Sequence, residues 1–543
     1  MKKFTFLFLA VILIQINAQS QSISWAKQAG GAGSDQGYDI GVDASGNVYV
    51  SGWFSGTAQF GTESLTSFGM QDIFIASYDS SGNFRWAKQA GSDGNDVCAG
   101  IITNAGGDSF ITGWFSETAD FDNFSVTSAG SYDMFVAKYN ASGAAQWVSR
   151  GGGPSDDYGN RITLANDGGV CIGGSFRESI WVGDHQLVSK GNRDVLLSHF
   201  SANGDVVCAK GAGGPGEDRA YGIFQDSDGN YFLTGFFSGT AEFDEFELTS
   251  PAIISTYIAK MTNQGFFQWV KQGSGGANDF ARGFDVEADG EGNVFATGFF
   301  SGTATFDNQT LSATGGQYDF DAFLTKYNPQ GDLVWAKKAG SDGIDQGTTL
   351  FVNPAGEIFL GGFFTQTGHF GDLTAESSGK SDVFVTKYST EGAAQWVVSG
   401  GGAENEYAYG VVNDVSGSVY LTGVFAGTAG FGANNLASAG GNDIFVAKIP
   451  STSNGLFFPS GNTSKIMVIP NPAKDFLQIE MIAANHVSEK VNLEILDISG
   501  KVLHTEIITP ANSTIDISDL KPGIYLVRLL KNGFAFTEKF IVE

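Results

Sequence analysis

A repeat of about 61 residues runs through most of this chain of 543 residues and constrains its fold more than any other feature. The seven repeats begin at Trp25, Trp86, Trp147, Cys208, Trp269, Trp335 and Trp396, with spacings of 61, 61, 61, 61, 66 and 61 residues. A period of this length predicts an array of similar units that pack on one another. Of the five extra residues in the fifth repeat, we place two in the turn around Gly290–Glu291 and three near Gln317–Asp319, because connecting loops tolerate insertions best.

Each repeat contains the pattern of four short strands, which we call a to d. In the first repeat, strand a is predicted over Tyr38–Val42, strand b over Val48–Phe54, strand c over Asp72–Tyr78 and strand d around Trp86. A polar, hairpin-like excursion, Phe60–Ser67, joins strand b to strand c. Four antiparallel strands per unit and seven units predict an all-β chain built as a seven-bladed β-propeller.

The phase of the repeat predicts how the ring closes. An isolated d-type strand at residues 23–28 precedes the first complete unit, whereas the last unit ends with strand c at residues 443–448. We therefore expect these two segments to pair and complete the seventh blade. The alternative is that Leu456–Phe458, which falls at the next position of the period, takes that place.

Strand b carries a glycine at one position in every repeat. These glycines are Gly52, Gly113, Gly174, Gly235, Gly298, Gly362 and Gly423. A glycine inside a strand is typical of a place where another backbone comes very close. We expect that backbone to belong to a neighbouring blade.

Two segments of the repeat carry a resemblance to a known family. Residues Gly229–Gly235 (GNYFLTG) and Asp443–Lys448 (DIFVAK) match the pattern of bacterial β-propeller repeats. The resemblance extends over residues 23–449 and implies the propeller fold, but it implies little about activity, since propellers host binding, scaffolding and catalysis.

Both ends of the chain have features typical of targeting segments. Lys2 and Lys3 precede the apolar run Phe4–Ile14, and a small residue, Ala18, ends the following stretch, so residues 1–18 are predicted to be a secretory signal peptide. The predicted propeller occupies residues 19–450, a Ser- and Asn-rich linker residues 451–465, and a small Ig-like β-sandwich residues 466–543. No segment of the mature chain is apolar enough to predict a transmembrane span.

The C-terminal segment resembles the type A C-terminal sorting domain of the type IX secretion system. Four motifs carry this resemblance: IPNPAKD at 469–475, DISGKV at 497–502, LKPGIY at 520–525 and TEKFIVE at 537–543. The residues that match the family pattern are Pro470, Asn471, Pro472, Asp497, Gly500, Gly523, Tyr525 and Lys539. The resemblance implies a member of the Bacteroidota, passage through the periplasm, recognition by the type IX machinery, and display on the cell surface or release, with cleavage expected within 451–468.

Acidic residues form the most regular polar feature of the repeat. The first set follows each repeat start by ten residues and comprises Asp35, Asp96, Asp157, Asp218, Asp279, Asp345 and Glu406. A second set opens strand c at Asp72, Asp133, Asp194, Asp321, Asp382 and Asp443, and Ser255 replaces the acid in one repeat. Chain direction places both sets at the end of the propeller that carries the d-to-a and b-to-c connections, which we call the loop face. There they either bind Ca²⁺, which prefers several oxygen ligands, or cap backbone N–H groups of their own turns.

Charge and cysteine content restrict the possible partners and compartments. The formal net charge of −28 argues against nucleic acid as a partner and favours cations or basic proteins. Cys98, Cys171 and Cys208 are too few to staple the fold, and we expect them to be buried in strands of different repeats, although one disulfide with one free thiol stays open.

Aromatic pairs in strand b are a further candidate feature. Pairs such as Trp53–Phe54, Trp114–Phe115 and Phe236–Phe237 place one ring on each side of the strand, so they either fill the core between blades or offer platforms for stacking sugars.

The third repeat is the least regular, since Arg177–Glu178, Trp181, His185 and His199 replace consensus residues there. No nucleophile elbow, histidine-rich metal spacing or phosphate loop is recognisable. The sequence therefore favours a secreted or surface-anchored binding or adhesion module for a glycan or protein. The alternatives are a polysaccharide hydrolase or lyase, with its site in the central funnel near the third repeat, and a structural surface-layer component.

Overall fold

The computed structural model describes residues 21–451 except 317–318 and 354–355, and parts of the C-terminal segment, namely 465–469, 473–474, 476–482, 491–497, 502–508, 513–518, 520–521, 523–531 and 534–542. The secondary structure of these residues consists of strands β1–β49 and their connections. The predicted signal peptide and most of the linker lie outside the described residues.

Seven four-stranded antiparallel blades, each in the order a-b-c-d, form the propeller. Blades 1 to 3 consist of β2 (Gln36–Val42), β3 (Val48–Phe54), β6 (Asp72–Tyr78) and β7 (Phe84–Ala90); β8 (Val97–Thr103), β9 (Ser109–Phe115), β12 (Asp133–Tyr139) and β13 (Ala145–Gly152); and β14 (Tyr158–Leu164), β15 (Val170–Phe176), β18 (Asp194–Phe200) and β19 (Val206–Ala212). Blades 4 and 5 consist of β20 (Arg219–Gln225), β21 (Tyr231–Phe237), β24 (Ser255–Met261) and β25 (Phe267–Ser274); and β26 (Ala281–Ala288), β27 (Val294–Ser301), β30 (Phe320–Tyr327) and β31 (Leu333–Gly340). Blades 6 and 7 consist of β32 (Gln346–Val352), β33 (Ile358–Phe364), β36 (Asp382–Tyr388) and β37 (Ala394–Gly402); and β38 (Tyr407–Asn413), β39 (Val419–Phe425), β42 (Asp443–Ile449) and β1 (Trp25–Gly31). Strands a of successive blades contact one another around the whole ring and therefore line the central channel.

A two-stranded hairpin interrupts every connection between strands b and c. The hairpins are β4 (Thr57–Phe60) with β5 (Glu63–Thr66), β10 (Thr118–Phe121) with β11 (Phe124–Thr127), β16 (Ser179–Val182) with β17 (His185–Val188), β22 (Thr240–Phe243) with β23 (Phe246–Thr249), β28 (Thr303–Phe306) with β29 (Gln309–Ser312), β34 (Thr367–Phe370) with β35 (Leu373–Glu376), and β40 (Thr428–Phe431) with β41 (Asn434–Ala437). Each hairpin pairs with the end of strand d in the preceding blade, as β4 does with β1 through Gly30↔Gln59 and Gly31↔Ala58. The excursion predicted from sequence is thus a strap between neighbouring blades.

The ring closes as predicted. Strand β1 pairs with β42 in antiparallel register from Trp25↔Lys448 to Ala29↔Ile444, so the first strand of the propeller completes the last blade. The alternative candidate, Leu456–Phe458, lies outside the described residues.

The predicted position of the two-residue insertion in blade 5 is wrong. Gly37 and Gly283 occupy equivalent positions, opposite Gly52 and Gly298, but they follow Trp25 and Trp269 by 12 and 14 residues. The two extra residues therefore lengthen the connection from strand d of blade 4 to strand a of blade 5. The turn around Gly290 keeps the same length as its counterpart in blade 1, because the ladder on both sides of that turn must stay in register. The three-residue insertion does lie between β29 and β30, as predicted.

The prediction that the strand b glycines face the backbone of a neighbouring blade is also wrong. A β-carbon at Gly52 would lie 1.8 Å from the carbonyl oxygen of Gln36, which belongs to strand a of the same blade. The cause is a β-bulge in strand a, where the register shifts between Gly37 and Asp39 and the bulged strand bends against strand b. The close approach is therefore within a blade.

Aromatic rings fill the core between blades. Phe54, Phe60 and Phe74 are fully buried in one cluster, which also contains Tyr420 and Ile444 of blade 7. Their repeats in the other blades build similar clusters, so the core forms a ring of inter-blade layers.

The C-terminal segment contains seven described strands in two sheets. The strands are β43 (Lys465–Ile469), β44 (Phe476–Ile482), β45 (Val491–Asp497), β46 (Val502–Ile508), β47 (Ser513–Asp516), β48 (Gly523–Lys531) and β49 (Phe534–Val542). The sheet orders are β43-β44-β47 and β46-β45-β48-β49, and Leu477, Ile495, Ile515 and Val527 from both sheets share one buried cluster. The Ig-like sandwich and the exact domain boundaries stay predictions.

Candidate functional site

The acids of the first set bind backbone N–H groups at the loop face. The Asp35 carboxylate accepts hydrogen bonds from the Gly31 N–H at 2.7 Å and the Ser55 N–H at 3.0 Å, and so joins the d-to-a connection to the end of strand b. Asp218 and Asp345 make the same two kinds of bond. Six members of the set, Asp35, Asp96, Asp157, Asp218, Asp345 and Glu406, are at most 1% exposed.

Asp279 is the exception, because the insertion displaces it. Ala281 donates its N–H to the Ile254 carbonyl and thus occupies the place that Asp35 and Asp345 hold in their junctions. The Asp279 carboxylate is half-buried and accepts from the N–H groups of Gly276 at 2.7 Å and Thr303 at 3.1 Å.

At the other six junctions, an acid of the first set is paired with one of the second. The pairs are Asp35 with Asp443, Asp96 with Asp72, Asp157 with Asp133, Asp218 with Asp194, Asp345 with Asp321, and Glu406 with Asp382. Burial, reinforced by the charge of the partner, raises the pKa of Asp157 to about 8 and those of Asp218 and Glu406 to about 7. In addition, Oδ2 of Asp157 and Oδ1 of Asp133 are buried without a hydrogen-bond partner. Because two neighbouring carboxyl groups are costly to ionise together when buried, we expect each pair to retain one proton.

These contacts bear on the predicted calcium site. The oxygens that would coordinate Ca²⁺ are in large part engaged by N–H donors, which favours the turn-cap interpretation. Among the residues that the structure describes, no group of three or more His, Cys, Asp or Glu side chains is placed to hold a metal ion. Calcium binding stays a prediction.

The central channel contains a charged bridge that the repeat does not reproduce. Arg161, in strand a of blade 3, donates from Nη2 to Asp285 of blade 5 at 2.6 Å and lies 3.3 Å from Asp39 of blade 1 through Nη1. Asp39 also accepts from the Ile101 N–H at 3.0 Å, and Asp285 accepts from the Leu350 N–H at 2.9 Å. The bridge thus joins three alternate blades across the channel and anchors each aspartate to the next blade.

A cavity of about 350 Å³ lies beside this bridge and reaches the opposite end of the propeller, where the a-to-b turns lie; we call that end the turn face. Its lining includes Arg161, Asp285, Glu287 and the turn residues Asp226 and Asp289. Burial raises the pKa of Asp39 to about 6 and that of Glu287 well above its ordinary value, although Arg161 opposes both shifts.

At the loop face, the mouth of the channel is lined by aromatic rings and arginines of blades 3 to 5. We call this set the arginine–aromatic mouth, and its residues are Tyr158, Arg193, Arg219, Tyr221, Phe236, Arg282, Phe284 and Phe299. Arg282 lies over the rings of Phe236, Tyr221 and Phe299, with Cζ 4.7, 5.6 and 5.6 Å from the centroids. Arg193 lies 4.5 Å over Tyr158. Tyr158, Tyr221 and Phe284 are only partly buried, so the rings reach the surface.

Neither the Arg161 bridge nor the arginines of the mouth were predicted from the sequence, although the repeat alignment contains a sign of the bridge. Aligned on the strand a bulge, the position of Asp39 reads Asp39, Gly100, Arg161, Gly222, Asp285, Thr349 and Gly410. Charges that appear in only three blades break the repeat where seven strands converge. Both members of the pairs Phe236–Phe237 and Phe299–Phe300 are buried, with Phe236 and Phe299 only 4% and 7% exposed, which favours the core role; stacking of sugars stays a prediction.

The two histidines of the irregular third repeat lie in different elements, β17 and β18. His199 is bonded to Asp167 at 3.3 Å and to the Tyr231 hydroxyl at 3.3 Å near the turn face, whereas His185 lies in an outer hairpin. Cys98, Cys171 and Cys208 are free thiols. They lie in three different repeats and Cys98 and Cys171 are buried, as expected, but Cys208 is only partly buried. Cys171 and Cys208 share blade 3 on either side of His199, because strand d of each blade begins the next repeat.

The described sorting residues lie on three adjacent strands, β45, β48 and β49. Asp497 ends β45 opposite Tyr525, Gly523 begins β48, and Lys539 lies in β49 opposite Leu526. The Tyr525 hydroxyl donates to the Lys521 carbonyl at 2.8 Å. Pro470, Asn471, Pro472 and Gly500 lie outside the described residues.

Two known families match parts of the chain. A family described as a secretion system C-terminal sorting domain matches residues 467–543, and a family described as a β-propeller repeat matches residues 24–53. The chain is therefore a seven-bladed β-propeller followed by a type IX sorting domain, which directs it to the cell surface or the extracellular space. No helix in the described part of the chain has the length and apolar character needed to cross a membrane.

Similarity to whole proteins is weak. The chain is 24% identical over 408 residues to a WD repeat-containing protein of Acanthamoeba polyphaga mimivirus, with 60% of this chain and 29% of that protein covered. It is 23% identical over 211 residues to the regulatory protein FlaEY of Caulobacter vibrioides, with 37% and 22% covered. The chain thus spans less than a third of the length of these relatives.

Among solved structures, similar chains include the extracellular domain of a one-component system from B. thetaiotaomicron and the full extracellular region of plexin A4. The first has a TM-score of 0.20 and 12% identity, with 93% of this chain and 80% of that chain covered; the second has a TM-score of 0.38 and 8% identity, with 94% and 62% covered. Values this low carry no functional argument.

Proposed function

We propose that the protein is a secreted or surface-anchored binding module that holds a glycan or protein ligand at the loop-face mouth of its propeller. The arginine–aromatic mouth carries this proposal, because arginines lie over loop-face rings in blades 3 to 5, whereas the partly exposed rings of blades 1 and 7, Tyr38 and Tyr409, pack on each other. A structural role alone would be expected to repeat in every blade, whereas a ligand site needs a distinct set of groups.

The mouth replaces the acidic residues as the proposed binding surface. The six buried acids of the first set present little charge to solvent, and they cap backbone groups that would otherwise lack partners. Glycoside hydrolysis needs two accessible carboxyl groups at a defined separation, and these buried pairs do not offer them, so we favour binding over the alternative of a polysaccharide hydrolase.

An array of glycans and surface proteins tests the proposed function. The purified chain is applied with Ca²⁺ and again with EDTA, and a Tyr221→Ala variant is applied in parallel. We expect selective binding that Tyr221→Ala weakens about tenfold, equal in both buffers if the acids act only as caps. Binding that the variant retains in full would exclude the mouth. Absence of any ligand would favour a structural role.

A further inference from the structure

Four arginines of blades 3 to 5 lie close together at the loop face of an otherwise acidic chain of net charge −28. The group comprises Arg177, Arg193, Arg219 and Arg282. Burial lowers the pKa of Arg193, and the nearby charges of Arg219 and Arg177 lower it further. Cations at this spacing repel one another, so their accumulation here calls for an anion or for local partners.

Three of these arginines have polar partners within the chain. Arg193 donates to the carbonyl and the carboxylate of Asp156 at 3.3 and 3.4 Å. Arg219 donates through Nε and Nη2 to Glu217, and Arg177 donates to Asn192 at 2.9 Å. Their guanidinium groups are therefore held in place by the protein itself.

Arg282 differs from the other three. Among the described residues Arg282 makes neither a hydrogen bond nor an ion pair, whereas the other three arginines have polar partners. Its Nε is buried without a partner, as are those of Arg177 and Arg193. In the described part of the chain its guanidinium is held by the rings of Tyr221, Phe236 and Phe299. A guanidinium fixed by stacking keeps its N–H groups free for a bidentate anion such as a carboxylate or a sulfate.

Arg282 also lies at the irregular junction between blades 4 and 5. The acid pair found at the other six junctions is missing here, because Ser255 replaces the second acid and Ala281 takes the place of the first. Asp279 points its carboxylate at Gly276 and Thr303. The junction without the paired acids is thus the one beside Arg282, which has no ion-pair partner among the described residues.

Rings continue from Arg282 along the mouth. Tyr221 and Phe284 lie 5.8 Å apart between centroids, Phe284 and Phe299 lie 5.6 Å apart, and Phe299 and Phe320 lie 4.9 Å apart. Such a row offers apolar faces beside the cation. It suits a ligand that combines negative charge with rings that have apolar faces.

We propose that the arginine–aromatic mouth binds an acidic polysaccharide. In this complex Arg282 donates hydrogen bonds to a carboxylate or sulfate group of one sugar, and the neighbouring rings contact sugar faces. This inference rests on the proposed binding function and specifies its ligand class. The net charge of the chain alone favours a cation or a basic protein as the partner, whereas the mouth favours an anion. The local cationic group decides recognition at short range, since salt screens the distant negative charges.

Binding of polygalacturonate, dextran sulfate and uncharged dextran to the full chain tests the inference by calorimetry. We expect binding of at least one polyanion over dextran, and a loss of tenfold or more in affinity for Arg282→Gln. Arg85→Gln is the matched control: it removes the same charge at the turn face, where Arg85 donates to Tyr49 and Ser77, and should change affinity less than twofold. Arg282→Lys, which keeps the charge but not the planar donors, should lose affinity to an intermediate extent. If Arg282→Gln fails to fold, Arg282→Lys and Arg219→Gln provide the comparison.

Each outcome assigns or removes the ligand class. Binding of polygalacturonate alone identifies carboxylated sugars, and binding of dextran sulfate alone identifies sulfated ones. No binding of either polyanion, or equal binding by Arg282→Gln, would overturn the inference. The array can also identify a neutral ligand that the Arg282→Gln variant still binds and the Tyr221→Ala variant does not. In that case the proposed binding function is supported and the proposal of an acidic ligand is overturned.

Discussion

The glycine near the end of strand d shows at the residue scale how the carboxyl pairs shape the sequence. A β-carbon at Gly30 would lie 2.6 Å from Cγ of Asp443 and 2.9 Å from Oδ2 of Asp35, and one at Gly340 would lie 2.4 Å from Oδ1 of Asp321. Glycine leaves this space to the two carboxyl groups. In blade 4, where Ser255 replaces the acid, Ser274 replaces the glycine.

The carboxyl pairs predict a stability that falls as the pH rises. The pKa values of Asp157, Asp218 and Glu406 are about 8, 7 and 7 in the folded chain, above the ordinary range near 4 that holds after unfolding. The folded state therefore binds more protons between pH 4 and 8, and the free energy of unfolding decreases across that window. We expect the unfolding temperature to be higher at pH 5 than at pH 8, as measured by circular dichroism.

The Asp157→Asn variant tests the contribution of one carboxyl pair, Asp157 with Asp133. The amide cannot ionise and so removes a buried charge beside Asp133 at high pH, and we expect the unfolding temperature at pH 8 to rise by roughly 2–4 °C, with little change at pH 5. Asp279→Asn is the matched control, since its junction lacks a second acid, and it should leave the pH profile unchanged. An identical profile for wild type and Asp157→Asn would contradict proton sharing.

At the scale of the elements, the hairpin straps protect strand d. Strand d is the outer edge of its blade, yet the hairpin of the next blade covers part of it, as β40 covers Gly401 and Gly402 of β37. Pairing part of an edge limits association with other chains. This pairing links neighbouring blades, so the pattern within one repeat predicts the hairpin but not its partner.

The closing strand gives an element-scale prediction. Without β1, blade 7 keeps three strands and loses the antiparallel ladder to β42. We expect a chain that begins at residue 32 to unfold on the order of 10 °C below a control chain that begins at residue 21, measured by calorimetry. A synthetic peptide of residues 21–31 should restore part of the loss. Equal unfolding temperatures for the two chains would show that blade 7 closes by other means.

At the scale of the whole molecule, the Arg161 bridge joins blades 1, 3 and 5 across the channel. Arg161→Met would leave the carboxylates of Asp39 and Asp285 buried without their cation. Removing one member of a buried ion group costs about 3–5 kcal/mol. We expect Arg161→Met to lower the free energy of unfolding by about this amount at pH 8, measured in urea.

The pH dependence separates this effect from a loss of packing. Protonation of Asp39, whose pKa is about 6, relieves the unpaired charge, so the cost of Arg161→Met should shrink at pH 5. The triple variant with Asp39→Asn and Asp285→Asn should recover stability at pH 8. A cost that is the same at both pH values would indicate that Arg161 acts through its contacts rather than its charge.

The blade was predictable because its determinants are local and repeated seven times. Alternating apolar residues, turn glycines and the phase of the repeat specify four strands and the closing pair, and short motifs specify the sorting domain. The regular acids were found as well, but their burial and pairing depend on junctions between blades. Only the tertiary structure decides the charged sets: the ring of strands a brings Arg161 of blade 3 to Asp285 of blade 5 across the channel, and packing of blade 5 on blade 4 places Arg282 over the rings of Tyr221 and Phe236.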